Sequence, residues 1–135
     1  DDYAQFSELD AALLGRFELQ IDIPEADVAV LRTIYLGAFA HQPIVDRLLA
    51  FEAWTRANTS AHGGLLKRAT NPRVTLSLLR EASRLAEAGM TQRDALEAAF
   101  DVTIVPYCAP RDATGALAED ACAMLVDEFR SVTRD

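Results

Sequence analysis

Two arginines have neighbours that suit them to phosphate chemistry. Arg16 closes a short apolar stretch just before Phe17, and Arg73 follows Asn71-Pro72 at the head of a leucine-rich segment. A guanidinium is permanently charged and presents a planar fork of N–H donors, which matches the oxygens of a transferring phosphoryl group. Arg73 gains from its setting, because the first turn of a helix offers unpaired N–H groups and a positive dipole end to an anion. Taken alone, Arg16 also reads as a solvated cation at a helix end, and Arg73 as an exposed first-turn residue.

Other site chemistry has no matching spacing. His62-Gly63-Gly64-Leu65-Leu66-Lys67 holds glycines and a lysine, but not the G-x-x-x-x-G-K-[ST] order that wraps backbone N–H groups round a phosphate. It reads as a flexible surface loop. No apolar run ending in Asp-Glu follows a strand, so a magnesium-binding carboxylate of that kind is missing. His41 and His62 form no H-E-x-x-H pair, and no G-x-S-x-G turn occurs to hold a nucleophile. Glu119-Asp120 and Asp127-Glu128 read as a solvated helix face. Cys108 and Cys122 sit among apolar neighbours and read as small buried hydrophobes. No metal ligands stand out, and the expectation is a chain that is not catalytic alone.

Composition sets the outer limits. Of 135 residues, 50% are hydrophobic and 25% charged, proportions that build a core and keep a surface wet. The net charge of −8 argues against broad contact with nucleic acid or an anionic membrane. A local basic cluster remains able to bind phosphate. No apolar run reaches the ~20 residues that span a bilayer. The start, Asp1-Asp2-Tyr3, lacks a basic region ahead of an apolar stretch, so a cytoplasmic protein is expected.

The elements that must position the two arginines follow from periodicity. Asp10 to Phe17 reads as a short helix capped by Asp10. Phe17, Leu19, Ile21 and Ile23 alternate with polar residues, the period of a half-buried strand, and Pro24 ends it. Helices follow over about Ala26 to Phe39 and Pro43 to Ala57, with Trp54 expected in the core. A third helix begins at Pro72 under an Asn71 cap and ends at Gly89. Thr91-Gln92-Arg93-Asp94 resembles a capping box and opens a short helix to Phe100. Val102 to Val105 suits a strand or an extended connector, and Asp112 to Arg130 an amphipathic helix. One strand followed by helices predicts a mainly α fold whose strand belongs to a sheet completed elsewhere.

Read as a unit, Leu9-Asp10-Ala11-Ala12-Leu13-Leu14-Gly15-Arg16-Phe17 with the strand to Pro24 resembles the end of the ATPase core in AAA+ proteins. There a short "ALL-x-RF" helix precedes the last strand. The match is to the MoxR-like branch and its CbbQ/NorQ and gas-vesicle relatives, and it places the arginine finger, given in trans to a neighbouring subunit, on Arg16. Asn71-Pro72-Arg73-Val74-Thr75-Leu76-Ser77-Leu78-Leu79-Arg80 resembles the sensor-2 segment of MoxR-like lids, which puts Arg73 on the nucleotide phosphates. Gly89 to Ala99 is similar to a "G-x-x-x-R-E-A" lid segment, a common pattern in amphipathic helices.

The resemblance implies an organisation and a role. Residues 1–24 would be the end of the ATPase core, 25–100 a helical lid, and 101–135 a C-terminal helical extension that carries no motif of the family. It implies ATP and Mg in the full-length protein, held by a phosphate loop and acidic site upstream of Leu9. It also implies a homo-oligomeric ring, a hexamer in the family, remodelling a partner protein such as one with a von Willebrand factor A domain. The alternative left open by the residues is a stand-alone acidic helical module for protein–protein interaction.

Overall fold

Single residues at the helix ends decide where the helices begin and stop. The computed structural model describes residues 25–134, which form five α-helices: α1 (Glu25–Ala38), α2 (Gln42–Ala57), α3 (Pro72–Glu87), α4 (Gln92–Cys108) and α5 (Glu119–Thr133). The expected helix over 10–17, the strand over 17–23 and Arg16 lie outside the described residues. Asn71 caps α3, its Oδ1 accepting from the Val74 N–H at 2.9 Å, with Pro72 in the first turn. Thr91 caps α4 through Oγ1, which accepts from the Asp94 N–H at 3.2 Å. His41 caps α2, its Nδ1 accepting from the Ile44 N–H at 3.3 Å. An N-cap of the usual Ser, Thr, Asn or Asp type is worth about 1 kcal/mol. At the other end of α3, Gly89 has a φ of 112°, and Met90 and Gly89 donate back to Leu85 and Ala86, both at 3.1 Å. That double bond pattern closes a helix with a left-handed residue.

The chain is mainly helical, and among the described residues there is no sheet. The helices close a ring: α1 rests on α2 and α3, α3 on α4, α4 on α5, and α5 on α2. The pair α3 and α4, joined by a four-residue turn, forms the most extensive contact and runs antiparallel. One core runs from Leu31 to Val132. Phe100 and Phe129 stack with ring centres 4.0 Å apart, and Phe51 meets both edge-on at 5.9 and 5.5 Å. Each such buried ring contributes roughly 1.5–3 kcal/mol by leaving water. Trp54, expected in the core, stands half-buried at its rim and stacks on Phe51 at 5.6 Å. No helix among the described residues is long and apolar enough to cross a membrane.

Two expectations are corrected. Val102 to Val105 is neither a strand nor an extended connector; it continues α4 to Cys108, eight residues beyond Phe100. Ala95, Leu96, Ala99, Phe100, Ile104, Val105 and Cys108 are all buried; a helix gathers these adjacent pairs on one stripe, where a strand would send the members of each pair to opposite faces. Pro106 sits exposed in the last turn, where the helix has almost ended. The helix boundary expected at residue 100 therefore falls inside α4. Secondly, Asp112 does not begin the last helix. Its carboxylate accepts from Thr114 N, Thr114 Oγ1 and Ala116 N at 2.8, 2.6 and 3.2 Å, winding a local turn, and α5 starts at Glu119.

The connector from α2 to α3 is a largely exposed loop, as its residues predict, and backbone hydrogen bonds cross it. Ser60 N bonds Leu66 O at 2.8 Å, Leu66 N bonds Asn58 O at 3.0 Å, and Gly64 N bonds Thr59 O at 2.9 Å. Gly64 is needed because a Cβ there would lie 2.0 Å from the Asn58 carbonyl oxygen. Gly64→Ala is therefore expected to lower the unfolding free energy by about 1–3 kcal/mol, read from urea midpoints. An unchanged midpoint would mean that the Asn58 carbonyl can move aside.

Candidate functional site

Arg73 is useful for chemistry only if the start of α3 is held still, and the residues behind it do that. Thr70, the residue before the Asn71 cap, is buried; its N–H donates to Thr55 Oγ1 of α2 at 3.2 Å. Thr55 Oγ1 in turn donates to the Glu52 carbonyl at 2.7 Å. Thr75 Oγ1, one turn into α3, donates to Glu52 Oε2 at 2.6 Å. With the Thr75 proton committed to the carboxyl, the 3.3 Å contact between Thr70 and Thr75 hydroxyls has Thr70 as donor. Tyr35 of α1 completes the set, its hydroxyl donating to the same Oε2 at 2.6 Å.

Glu52 is thus a carboxyl inside the protein, 2% exposed, carried on α2 and bonded from α1 and α3. Burial pushes its pKa up, and the bonds from Thr75 and Tyr35 and the charge of Arg56 oppose the rise. Tyr35 is raised well above the ordinary phenol value, first by burial and then by the nearby Glu52. Among the described residues, no buried side-chain nitrogen or oxygen lacks a partner. Glu52 escapes the apolar pattern of α2. The available signal was its place in the stripe Leu48, Phe51, Glu52, Thr55, spaced i, i+3, i+4 and i+7.

In front of that network, Arg73 occupies the second position of α3 and is exposed. Pro72 beside it is buried, and so fixes the turn from below. The cap is itself held from α4: Asn71 Nδ2 donates to the Tyr107 hydroxyl at 2.7 Å. Arg68 lies over the Tyr107 ring at 4.1 Å and donates through Nε to the Tyr107 carbonyl at 2.7 Å. These contacts fix the face of the molecule on which Arg73 stands. Arg16 cannot be placed relative to it, since it is outside the described residues.

The remaining candidates are structural. His41 is a helix cap and His62 lies exposed in a single 3₁₀ turn (Ser60–His62). Cys108 is buried, as expected, and burial pushes its thiol up to about 12, far from a nucleophilic thiolate. Cys122 is half-buried, and raised by burial and by Asp101 and Asp120. Glu119, Asp120 and Asp127 are exposed on α5, a solvated face. Among the described residues, no three His, Cys, Asp or Glu side chains are grouped as a metal site needs.

No protein-family model matches this chain, and neither a curated protein nor a solved structure matches it.

The Glu52 cluster carries a pH signature. A carboxyl whose pKa is raised by folding stabilises the fold fully below its ordinary value of 4.5, and that contribution is lost as pH rises through the elevated one. Glu52→Gln keeps an acceptor for Tyr35 and Thr75 and removes the titration. Urea unfolding across that range is expected to show wild-type stability falling relative to Glu52→Gln as pH rises; parallel curves would refute the shift. Glu52→Ala, which strands both hydroxyls, is expected to cost roughly 3 kcal/mol.

Proposed function

We propose that this chain is the C-terminal part of a MoxR-like AAA+ ATPase, coupling ATP binding and hydrolysis to the remodelling of a partner protein. The observation that supports the reading most is the setting of Arg73. It stands exposed in the first turn of a helix whose cap is anchored from α2 and α4. A cation there, with the N–H groups of the turn, suits a nucleotide phosphate. Arg73 would hold that phosphate, and the nucleotide would supply the scissile bond. The magnesium ion of such an enzyme belongs with upstream carboxylates. Arg16, in this reading, reaches the neighbouring subunit's nucleotide in a ring, and the helical bundle is the lid that moves when ATP binds.

A second reading, a stand-alone acidic module for protein partners, has one observation in its favour. The described residues bury a single core among themselves and leave no buried polar side chain unpaired. A phosphate-loop sequence in the reading frame upstream of Asp1 supports the first reading, and an unrelated domain there the second.

In the full-length protein, Arg16→Ala is expected to lower ATP turnover by ~10³ or more, the scale of an arginine finger, with nucleotide binding retained. Arg73→Ala is expected to weaken nucleotide binding. Steady-state hydrolysis and fluorescent-nucleotide titration separate the two. Wild-type turnover in Arg16→Ala would refute the finger.

A further inference from the structure

The end of α4 meets the connector into α3 in a cavity of about 470 Å³, lined by Lys67, Arg68, Pro106, Ala109, Pro110 and Arg111. That volume lies within the range of small-molecule sites. Three of its six lining residues are cations and none is a carboxylate, in a protein whose net charge is −8. None of the three is ion-paired among the described residues. The nearest acid in sequence, Asp112, is occupied: it binds Thr114 and Ala116, bonds that hold its carboxyl below the usual range.

Two of the three cations are also held by their side chains. Arg68 is fixed twice: its guanidinium lies over the Tyr107 ring and its Nε is bound to the Tyr107 carbonyl, so its outer N–H groups face a set direction. Arg111 is tied through one Nη to the Gly115 carbonyl at 2.8 Å, leaving the other. Lys67 is fixed at its backbone, which donates to the Cys108 carbonyl at 2.8 Å. Capping the C-terminus of α4 accounts for Arg68 Nε and Lys67 N. It does not account for the Lys67 ammonium, the outer donors of Arg68, or Arg111 joining them. All three are exposed at the cavity and available to an anion.

We propose that this cavity binds the phosphate group of a small soluble phosphate ester, with Arg68 as the preorganised fork and Lys67 and Arg111 as flanking charges. The proposal stands on these residues alone and does not depend on the ATPase reading. Pyrophosphate is the probe. Titrated into the ¹⁵N-labelled protein at constant ionic strength, it is expected to shift the amides of residues 67–68, 107–109 and 111 with a dissociation constant on the order of 1 mM. The double variant Lys67→Ala with Arg111→Ala is expected to weaken binding about tenfold or more without changing the urea midpoint. These two positions are chosen over Arg68 because Arg68→Ala would also remove a cap of α4. Shifts no larger than those from sodium chloride at equal ionic strength, or unchanged affinity in the double variant, overturn the site. Vesicles rich in phosphatidylserine are expected not to bind; vesicle binding without pyrophosphate binding overturns the soluble ligand.

Discussion

A carboxyl group removed from water must find donors for its oxygens or take up a proton, and Glu52 is placed between those outcomes. Two hydroxyls at 2.6 Å supply donors, while complete burial pushes the group toward its protonated form. The desolvation at stake is several kcal/mol, so the fold tolerates Glu52 only in the one arrangement that satisfies it. Sliding α1 by a turn removes Tyr35, and sliding α3 removes Thr75. Hydrophobic contacts alone would penalise such shifts far less, because they are not directional. The polar group thus sets the register that the apolar core leaves loose.

The helix α2 carries both kinds of constraint on adjacent residues. Successive residues of a helix point about 100° apart, so Phe51 and Glu52 face different neighbours. Phe51 reaches the Phe100 and Phe129 rings of α4 and α5, and Glu52 reaches α1 and α3. Volume and shape govern one side of α2, hydrogen-bond direction the other. On its exposed flanks α2 is tied less strongly, through Arg32 to Asp46 at 2.7 Å and through Arg47, which donates to the Val132 carbonyl at 3.0 Å. The first of these is a solvated ion pair of small worth. The second satisfies a carbonyl at the end of α5 that no helix partner reaches.

What could be read from the residues was local chemistry. Asn71, Thr91 and Gly89 each act within a few residues of themselves, and each ends a helix as its type predicts. One failure was non-local and one was local. Four β-branched or apolar residues at 102–105 favour a strand by propensity. They become helical because α4 buries Ile104 and Cys108, and because residues 67 and 68, forty positions away, bind its last carbonyls. Asp112 had the type of a helix cap but turned its carboxylate onto a tighter loop. Of the candidate site, Arg73 was legible as a first-turn cation. The Glu52 network behind it was not, since a glutamate in an amphipathic helix is ordinarily a surface residue.

The start of α3 is pinned from two directions, and that bears on how a ligand there would act. Toward α2 the pins are Thr70 on Thr55 and Thr75 on Glu52; toward α4 they are Asn71 and Arg68 on Tyr107. An anion drawn to this face cannot shift α3 alone without breaking buried hydrogen bonds, each costly to leave unmade. Force applied at Arg73, or in the cavity beside Arg68, therefore passes to α1, α2 and α4 together. The bundle thus responds as one body. Under the proposed ATPase reading, a bundle tied together in this way would serve as a lid.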